Sequence, residues 1–430
     1  MGRVADVRPF SALRPLPQLA HRVAAPPYDV VSADQAREIM CAQPDSFLRV
    51  TRPDADPYLE PTPGQDDDVD PIGHPDPDAE HRHGRAALAE LVRRGVLVRE
   101  AQPAFWVYRQ QVGSRAQTGI AGLASVHDYE RAVLRVHEHT RPDKEDDRTR
   151  HLDVVDAHDE PVFLFHQGSD EVESIVEAVA AGEHDLAVTT PDHVWHTLWR
   201  ARDPDVVHRL VEAFAGLDRL YVADGHHRTA AAVRLAAKRR GLPPEEAGSV
   251  DGFLAVVFPA PELTVLPYHR IVTDLATPDG RDLTPEELVA RLGEEFDVSP
   301  TSGLVQPEDR RTVGLRTPTG WFRLWLRDAV PAEGSIDGLA VSLLQDRVLG
   351  PLLGITDPRR DPRLDFVGGP DGLEALDDAV ASGRAAVAFA LSPTQLADLV
   401  AVSDRGEVMP PKSTWFFPKP ASGLLVHPLH

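Results

Sequence analysis

The chain contains little cysteine for its length of 430 residues. Cys41 is the single cysteine, so neither a disulfide framework nor a cysteine-rich zinc site forms within one chain, which suits a reducing compartment. No apolar stretch is long enough to span a bilayer, and prolines interrupt the first residues, where a signal peptide would need a continuous apolar segment. We therefore expect a cytoplasmic protein without a membrane partner.

Positive charge is also scarce. The formal net charge is −23, and nucleic-acid binding needs clustered cations, so a nucleic acid is not an expected partner. In a chain that otherwise uses arginine, each lysine is a candidate for a position that requires a compact charge. With so few lysines, their positions could also be due to chance. We expect Lys238 to be a surface residue at the end of a helix. Lysine occurs at Lys144, Lys238, Lys412 and Lys419.

Strand-like and helix-like segments alternate without a regular βαβ period, which predicts an α/β or α+β fold with mixed sheets. Ser32 is expected to cap a helix over residues 33–42, and residues 104–136 read as antiparallel hairpins around a turn at Gly113. Further helices are predicted at 82–94, 170–181, 204–216, 285–295, 338–349, 372–382 and 394–402, and strands at 252–258, 312–315 and 321–326.

The length allows two or three domains, and the oligomeric state is left open. We expect an N-terminal region over residues 1–100, a core over 101–275 and a C-terminal α/β region over 276–430. Proline and aspartate dominate residues 52–81, which predicts a loosely held acidic loop. The aspartates within 66–70 lack the ligand spacing of a calcium loop, so a solvated loop is favoured over a Ca²⁺ or Mg²⁺ site.

The most informative segment is an apolar run, Leu220–Ala223, followed by Asp224 and Gly225 and then by an alanine-rich stretch. This order predicts a strand, a turn and a helix. Such a turn presents backbone N–H groups and the positive end of a helix dipole, which favour a bound phosphate. Further donors at the same turn are His226, His227 and Arg228.

The side chains of this turn are also compatible with roles that need no phosphate. Asp224 is a candidate Mg²⁺ ligand, since hard oxygen ligands suit that ion, or it simply caps the helix beside surface histidines. Zinc binding by His226 and His227 is disfavoured because side chains at neighbouring helix positions diverge.

A second segment, residues 136–148, places Glu138 between His137 and His139. A glutamate in such a setting can serve as a general base if its pocket tunes it. The alternative is a solvated, charged start of a helix with ion pairs at helical spacing. Lys144 and Arg148 are weaker candidates for phosphate contacts, with surface pairing as their alternative role.

A third segment, residues 408–419, combines three aromatic residues with charges and hydroxyls between prolines. A frayed tail would not carry so many aromatics, so the segment should dock onto the body of the protein. The aromatics then belong to the core, or they line a cleft. In the second case Lys412, Ser413 and Thr414 would be exposed donors at its edge.

Together these segments resemble the family called domain of unknown function 1015. The resemblance covers nearly the whole chain and rests on Pro26-Pro-Tyr-Asp-Val, Val136-His-Glu-His-Thr-Arg, Ala223-Asp-Gly-His-His-Arg and Met409-Pro-Pro-Lys-Ser-Thr-Trp-Phe-Phe-Pro-Lys. Three of the segments are also similar, in the same order, to motifs of the free serine kinases in the ParB/sulfiredoxin-like superfamily. This resemblance implies a ParB/sulfiredoxin-like core over 101–275, with residues 408–419 returning to its active site.

The kinase resemblance implies a role for each segment. Glu138, beside His137, would be the catalytic carboxylate, and Asp224 would be catalytic and bind Mg²⁺. A late Pro-Lys-Thr-Thr segment lines the serine pocket of the kinases, and Pro411-Lys-Ser-Thr414 matches it except at Ser413. The implied reaction is phosphoryl transfer from ATP or ADP to free L-serine or a similar hydroxyl compound. The residues that would hold the nucleotide phosphates are Gly225, His226, His227 and Arg228.

Two other activities of this superfamily are disfavoured. Sulfiredoxins carry a reactive cysteine in the corresponding loop, where this chain has His226. Partition proteins bind DNA through a basic recognition helix, which this acidic chain lacks. The alternatives that stay open are a nucleotide-binding regulatory protein without turnover and a metal-dependent phosphatase or hydrolase.

Overall fold

The computed structural model describes residues 4–58 and 78–430. Its described residues form two compact units. Unit 1 comprises the described part of Met1–Arg135 together with His139–Leu263 and Pro418–His430, and unit 2 comprises Val136–Glu138 and Thr264–Phe417. The boundaries expected at residues 100 and 275 stay predictions. The aspartates within 66–70, and most of the acidic segment around them, lie outside the described residues.

The strands of the described residues follow in chain order. They are β1 (Val7–Arg8), β2 (Leu13–Pro15), β3 (Leu97–Arg99), β4 (Phe105–Val112), β5 (Arg115–Ser125), β6 (Leu134–Arg135), β7 (Ala157–His158), β8 (Val162–His166), β9 (Leu186–Thr189), β10 (Trp195–Ala201), β11 (Leu220–Asp224), β12 (Gly252–Pro259), β13 (Val265–Leu266), β14 (His269–Val272), β15 (Phe296–Thr301), β16 (Thr312–Thr317), β17 (Gly320–Leu326), β18 (Leu364–Val367), β19 (Val387–Ala390), β20 (Trp415–Phe416) and β21 (His427–Pro428).

The helices of the same residues are α1 (Ala20–Val23), α2 (Ala33–Ala42), α3 (Leu48–Thr51), α4 (Ala79–Arg93), α5 (Val126–Glu130), α6 (Pro142–Val155), α7 (Asp170–Ala180), α8 (Pro204–Ala215), α9 (His226–Arg239), α10 (Pro244–Ala247), α11 (Pro285–Leu292), α12 (Ala340–Leu344), α13 (Gly350–Leu353), α14 (Gly372–Ala381) and α15 (Leu396–Asp404). A π-helical turn, Gln345–Leu349, joins α12 to α13. Short 3₁₀ turns occur at Pro17–Leu19, Pro53–Ala55, Ala260–Glu262 and Ile336–Gly338.

Unit 1 is built on one mixed sheet in the order β6-β11-β8-β12-β5-β4-β10-β9, with β1 also paired to β5. Strand β12 runs parallel to β8 and antiparallel to β5. All eight residues of β12 are buried, because both faces of the central sheet are covered, and the strand accordingly reads as an apolar run. The expected mixed α/β class is confirmed.

Several local predictions for unit 1 are also confirmed. The hairpin expected around Gly113 is β4 and β5, which pair antiparallel up to Val112 and Arg115. The second hairpin expected within residues 104–136 is wrong, because helix α5 follows β5 and β6 pairs parallel with β11. Ser32 caps α2 in a capping box with Gln35. Helices α7 and α8 occupy the segments predicted at 170–181 and 204–216. Lys238 lies in the last turn of α9 and is exposed, as expected.

Unit 2 has a sheet of its own in the order β15-β17-β16-β19-β14-β18 and a small pair, β13-β20. The aromatic segment near the C-terminus docks in this unit, as expected, because Phe416 of β20 is buried and pairs with Val265 of β13. Within the described ranges, no helix of either unit combines the length and the apolar character that crossing a bilayer requires.

A glycine on β5 fixes the distance between β5 and β12. A Cβ atom at Gly119 would lie 2.8 Å from the ring of Phe258 and closer still to the carbonyl oxygen of Val257. We expect Gly119→Ala to lower the free energy of unfolding by about 1–3 kcal/mol, because the added methyl overpacks a buried sheet. Urea unfolding measures the loss. Gly303→Ala is the control, because its Cβ meets no atom within 4 Å, and equal stability of the two variants would contradict the prediction.

Candidate functional site

The predicted strand, turn and helix are confirmed at Asp224. Strand β11 ends at this residue, Gly225 follows with φ 95° and ψ 29°, and α9 begins at His226. The positive φ favours glycine, and a Cβ at Gly225 would also lie 3.0 Å from Nε of Arg228. The first helical hydrogen bond of this turn runs from Thr229 N to Gly225 O, so the backbone N–H groups of residues 226–228 form the N-terminal turn of α9.

The carboxylate of Asp224 lies between two cations. Its Oδ2 accepts a hydrogen bond from Nη2 of Arg228 at 2.8 Å, and its Oδ1 lies 2.8 Å from Nζ of Lys419. The same Nζ lies 2.9 Å from Oδ2 of Asp29. Although burial opposes the charge of Lys419, attraction by Asp224 and Asp29 raises its pKa, so this lysine is a permanent cation.

Arg228 connects Asp224 to a second, more deeply buried carboxylate. Its Nη1 donates to Oε2 of Glu160 at 3.3 Å and to the carbonyl of Pro161 at 3.0 Å. The other oxygen of Glu160 accepts hydrogen bonds from the backbone N of Tyr28, at 2.9 Å, and from the hydroxyl of Ser422. Burial raises the pKa of Glu160, whereas Arg228 acts to lower it.

Two guanidinium groups flank the ring of Tyr28. The Cζ atom of Arg148 lies 4.6 Å from the ring centroid, and that of Arg228 lies 6.0 Å from it. Burial raises the pKa of Tyr28 to about 12, so the phenol is neutral near pH 7. These side chains line a cavity in unit 1, to which Glu160 and Asp159 also contribute. Both positive and negative groups therefore face this cavity.

The two histidines of the turn differ from each other. His226 is buried, and burial lowers its pKa to about 3, so it is neutral near pH 7 rather than a charged surface residue. His227 is half-buried, and its Nε2 accepts a hydrogen bond from the backbone N of Arg141 at 3.1 Å. That bond leaves the ring proton of a neutral His227 on Nδ1.

Unit 2 joins the other two sequence motifs. Nε2 of His137 lies 3.2 Å from the hydroxyl of Thr414, and the carbonyl of His137 accepts a hydrogen bond from Met409 N at 2.9 Å. Residues 277 positions apart in the chain are thereby in contact. Glu138, directly after His137, is half-buried in the same unit.

A buried arginine shapes the loop that carries Lys412. Nη2 of Arg270 donates to the carbonyls of Pro411 and Lys412, at 3.2 Å each, and burial lowers the pKa of Arg270 to about 9. Lys412 has a φ of 54°, in the left-handed region. Its Nζ lies 3.4 Å from the hydroxyl of Tyr268 and over that ring. The loop is therefore held from within unit 2.

Ser413 differs from the expected exposed donor. Its side chain is buried, its hydroxyl donates to the carbonyl of Pro410 at 2.6 Å, and its own carbonyl accepts from the Thr394 hydroxyl. Lys412 is exposed and Thr414 is half-buried. Ser413 therefore stabilises the loop by internal hydrogen bonds, which leaves its two neighbours as the better candidates for substrate contacts.

The predicted site residues thus fall into two sets. Asp224, Gly225, His226, His227 and Arg228 belong to unit 1, and His137, Glu138, Lys412, Ser413 and Thr414 belong to unit 2. Sequence reasoning did not assign site roles to Tyr28, Asp29, Glu160 and Lys419. Two signals pointed to some of them, namely the Pro-Pro-Tyr-Asp-Val segment and the rarity of lysine. Glu160 has no such signal, because it lies in an unremarkable His-Asp-Glu-Pro stretch.

The fold and the site define a mixed α/β protein with a strand–glycine–helix turn that two basic side chains reach. A family model described as "Protein of unknown function (DUF1015)" matches residues 7–345. The chain therefore belongs to this family, as the sequence motifs predicted.

Comparison with solved structures finds weak similarity to three kinds of protein. A variant of a free serine kinase in complex with ADP is 14% identical with a TM-score of 0.35, over 68% of this chain and 89% of that chain. SbnI from Staphylococcus aureus, truncated at its C-terminus, is 12% identical with a TM-score of 0.37, over 71% and 87%. A conserved hypothetical protein from Pyrococcus furiosus is 14% identical with a TM-score of 0.34, over 69% and 92%. No curated protein sequence matches the chain.

The contact between Lys419 and Asp224 leads to a prediction about stability. Lys419→Met removes one cationic partner of Asp224 and one of Asp29, so we expect the free energy of unfolding to fall by about 2–3 kcal/mol. This lies below the about 3–5 kcal/mol of a fully buried pair, because both carboxylates retain some exposure. Urea unfolding measures the loss.

The control for this variant is Lys238→Met. Lys238 also pairs with an aspartate, at 2.6 Å, but its side chain is 66% exposed, so we expect a loss below about 1 kcal/mol. Equal losses in the two variants would show that the pairs of Lys419 stabilise the protein no more than the exposed pair of Lys238 does. In the double variant Lys419→Met with Asp224→Asn, the combined loss should be smaller than the sum of the two single losses.

Proposed function

We propose that this protein is a small-molecule kinase with a ParB/sulfiredoxin-like core that transfers a phosphoryl group from ATP or ADP to the hydroxyl of free L-serine. The observation that carries the proposal is the contact of His137 with Thr414 at 3.2 Å. It unites, within unit 2, the two motifs that the kinase resemblance assigns to the catalytic base and the serine pocket.

In the proposed reaction, the serine hydroxyl oxygen attacks the terminal phosphorus of the nucleotide. The new P–O bond forms as the bond to the bridging oxygen breaks, so ATP leaves as ADP, or ADP as AMP. Glu138 accepts the hydroxyl proton. Thr414 and Lys412 bind the serine carboxylate or the phosphoryl group in transfer. Phosphoryl transfer depends mainly on positioning and charge neutralisation, which suits this set of residues.

The phosphates of the nucleotide would bind at the turn after β11. Gly225, His226 and His227 provide the N-terminal turn of α9, and Arg228 adds a guanidinium beside it. Lys419 adds a second permanent cation at the same carboxylate. The resulting positive group is local and does not conflict with the strongly acidic composition of the whole chain.

The residues around Asp224 do not fit a resident Mg²⁺ ion in the observed arrangement. Each oxygen of Asp224 already has a cationic partner, Arg228 for one and Lys419 for the other. Across residues 4–58 and 78–430, no three histidine, cysteine or acidic side chains are grouped in a way that would hold a metal. In our proposal Asp224 therefore orients Arg228 and Lys419, and these two side chains neutralise phosphate charge. Metal ligation by Asp224 would place Mg²⁺ beside the positive charges of Lys419 and Arg228, which repel it.

A serine kinase should form O-phosphoserine, and loss of its general base should lower kcat. Purified protein incubated with ATP or ADP, Mg²⁺ and L-serine should form O-phosphoserine, detected by mass spectrometry. We expect Glu138→Gln to lower kcat by about 10²–10⁴-fold, because it removes the general base, and to leave nucleotide affinity unchanged. Nucleotide affinity is measured by calorimetry. Glu308→Gln, an exposed glutamate of the same unit, is the matched control and should retain full activity.

The remaining outcomes distinguish the alternatives. Nucleotide binding without phosphoserine formation, across a panel of amino acids, would exclude the kinase and favour a regulatory nucleotide-binding protein. Phosphate release from O-phosphoserine in the absence of nucleotide would favour a phosphatase. Loss of nucleotide binding in Glu138→Gln would show that this residue is not a base.

A further inference from the structure

A second cavity lies in unit 1, and neither Asp224 nor another residue of its turn lines it. Strand β8 pairs Phe163 with Asp224 near its beginning, whereas its last residue, His166, lines this cavity. The rest of the lining comes from β4, β5, β12, helix α7 and the 3₁₀ turn Ala260–Glu262. The proposed function uses none of these lining residues.

The cavity is lined by apolar side chains and by a similar number of polar and charged ones. Val172 and Val176 of α7 form one wall, and Val257 of β12 contributes to another. The opposite strand approaches closely at Gly119, where a Cβ would collide with β12. Apolar side chains beside convergent polar groups are the means by which a pocket binds and orients a small molecule.

At the cavity, His166 has a donor without an acceptor. The side chain is 1% exposed, and its Nδ1 accepts a hydrogen bond from Gly168 N at 3.2 Å. Burial lowers the pKa of His166, so the ring is neutral near pH 7 and carries its proton on Nε2. Among the residues that the structure describes, Nε2 has no hydrogen-bond partner. A buried donor of this kind calls for an acceptor supplied from elsewhere.

Negative charge collects at the same cavity. Glu173 and Glu177 lie one turn apart on α7, and Glu262 faces them from the 3₁₀ turn. Burial raises the pKa of Glu262, and the charges of Glu173 and Glu177 raise it further. Three carboxylates in one lining give the cavity a negative potential that favours a bound cation.

One arginine reduces this negative charge without cancelling it. Arg109 donates through Nε to the Thr118 hydroxyl at 3.0 Å, and its guanidinium lies over the ring of Trp199, 5.2 Å from the centroid. Thr118 N in turn donates to Oε2 of Glu262 at 2.5 Å. Three carboxylates face one guanidinium, so the cavity keeps an excess of negative charge.

We propose that this cavity is a second ligand site, for a small aliphatic amine that carries a hydrogen-bond-accepting oxygen. The ammonium group lies among Glu173, Glu177 and Glu262. The aliphatic body packs on the valines of the cavity wall, and the oxygen accepts the Nε2 proton of His166. The site is independent of the nucleotide site and does not rest on the kinase proposal.

A panel of four probes tests each part of this chemistry by calorimetry on the full chain. The probe 5-amino-1-pentanol has the ammonium, the chain and the oxygen, pentylamine lacks the oxygen, 1-pentanol lacks the charge, and Mg²⁺ tests a metal alone. We expect the amino alcohol to bind about threefold or more tightly than pentylamine, because only it satisfies His166. We expect 1-pentanol and Mg²⁺ not to compete with it.

Three variants locate the site. Glu177→Gln and Glu262→Gln should each weaken binding of the amino alcohol by about three- to fivefold, as expected for partly exposed ion pairs. His166→Phe should remove the preference for the amino alcohol over pentylamine, while pentylamine affinity stays unchanged. Glu171→Gln is the matched control, because Glu171 is an exposed residue of the same helix that does not line the cavity.

Opposite results would overturn the proposal. Binding of Mg²⁺ with displacement of the amine would make the cavity a metal site. Equal binding of 1-pentanol would show that charge plays no part, and equal binding of both amines to the unmodified protein would remove the role of His166. Absence of amine binding would exclude the site altogether. Phosphoserine formation is measured separately, so failure here leaves the kinase proposal unaffected.

Discussion

The ion network centred on Asp224 determines how unit 1 is assembled. Lys419 comes from the C-terminal residues, Asp29 from the N-terminal ones, and Arg228 from the middle of the chain. Charged groups with little exposure are tolerated only when opposite charges and hydrogen bonds compensate them, so these three segments depend on one another. The Glu160 carboxylate extends the same network, because it accepts hydrogen bonds both from Arg228 and from the backbone of Tyr28.

This network also shows how the proposed phosphate site is compatible with a net charge of −23. Carboxylates hold both cations of the network, Arg228 and Lys419, by ion pairs that favour their charged forms and restrict their motion. The acids do not surround Arg228 completely, because its side chain also lines a cavity together with Arg148 and Tyr28. In the proposed kinase, a phosphate at this turn would meet preorganised donors, so it would need less reorganisation than with flexible surface side chains. The local arrangement of charge, rather than its sum over the chain, is what the proposed phosphate site depends on.

The parts of the site that sequence could predict are those set by neighbouring residues. An apolar run, a glycine and an alanine-rich stretch are sufficient for β11, the Gly225 turn and α9, since each depends on local propensity. The sequence could not predict that Glu160 and Asp29 belong to the ion network around Asp224, because their contacts join segments that are distant in the chain. The sequence also predicted a role for Ser413 that its contacts do not support. A hydroxyl beside a lysine resembles a donor to a ligand, yet the hydroxyl of Ser413 donates to the carbonyl of Pro410.

The scarcity of lysine in the chain points to a buried ion pair at Lys419 but only to an exposed one at Lys238. At Lys419 the ammonium lies within 2.9 Å of two carboxylates from different segments, where a compact point charge fits and a planar guanidinium would have to turn its fork away from one of them. At Lys238 the side chain is 66% exposed and pairs with Asp153, a role that arginine performs equally well. Burial between two carboxylates, rather than rarity alone, therefore distinguishes Lys419 from Lys238.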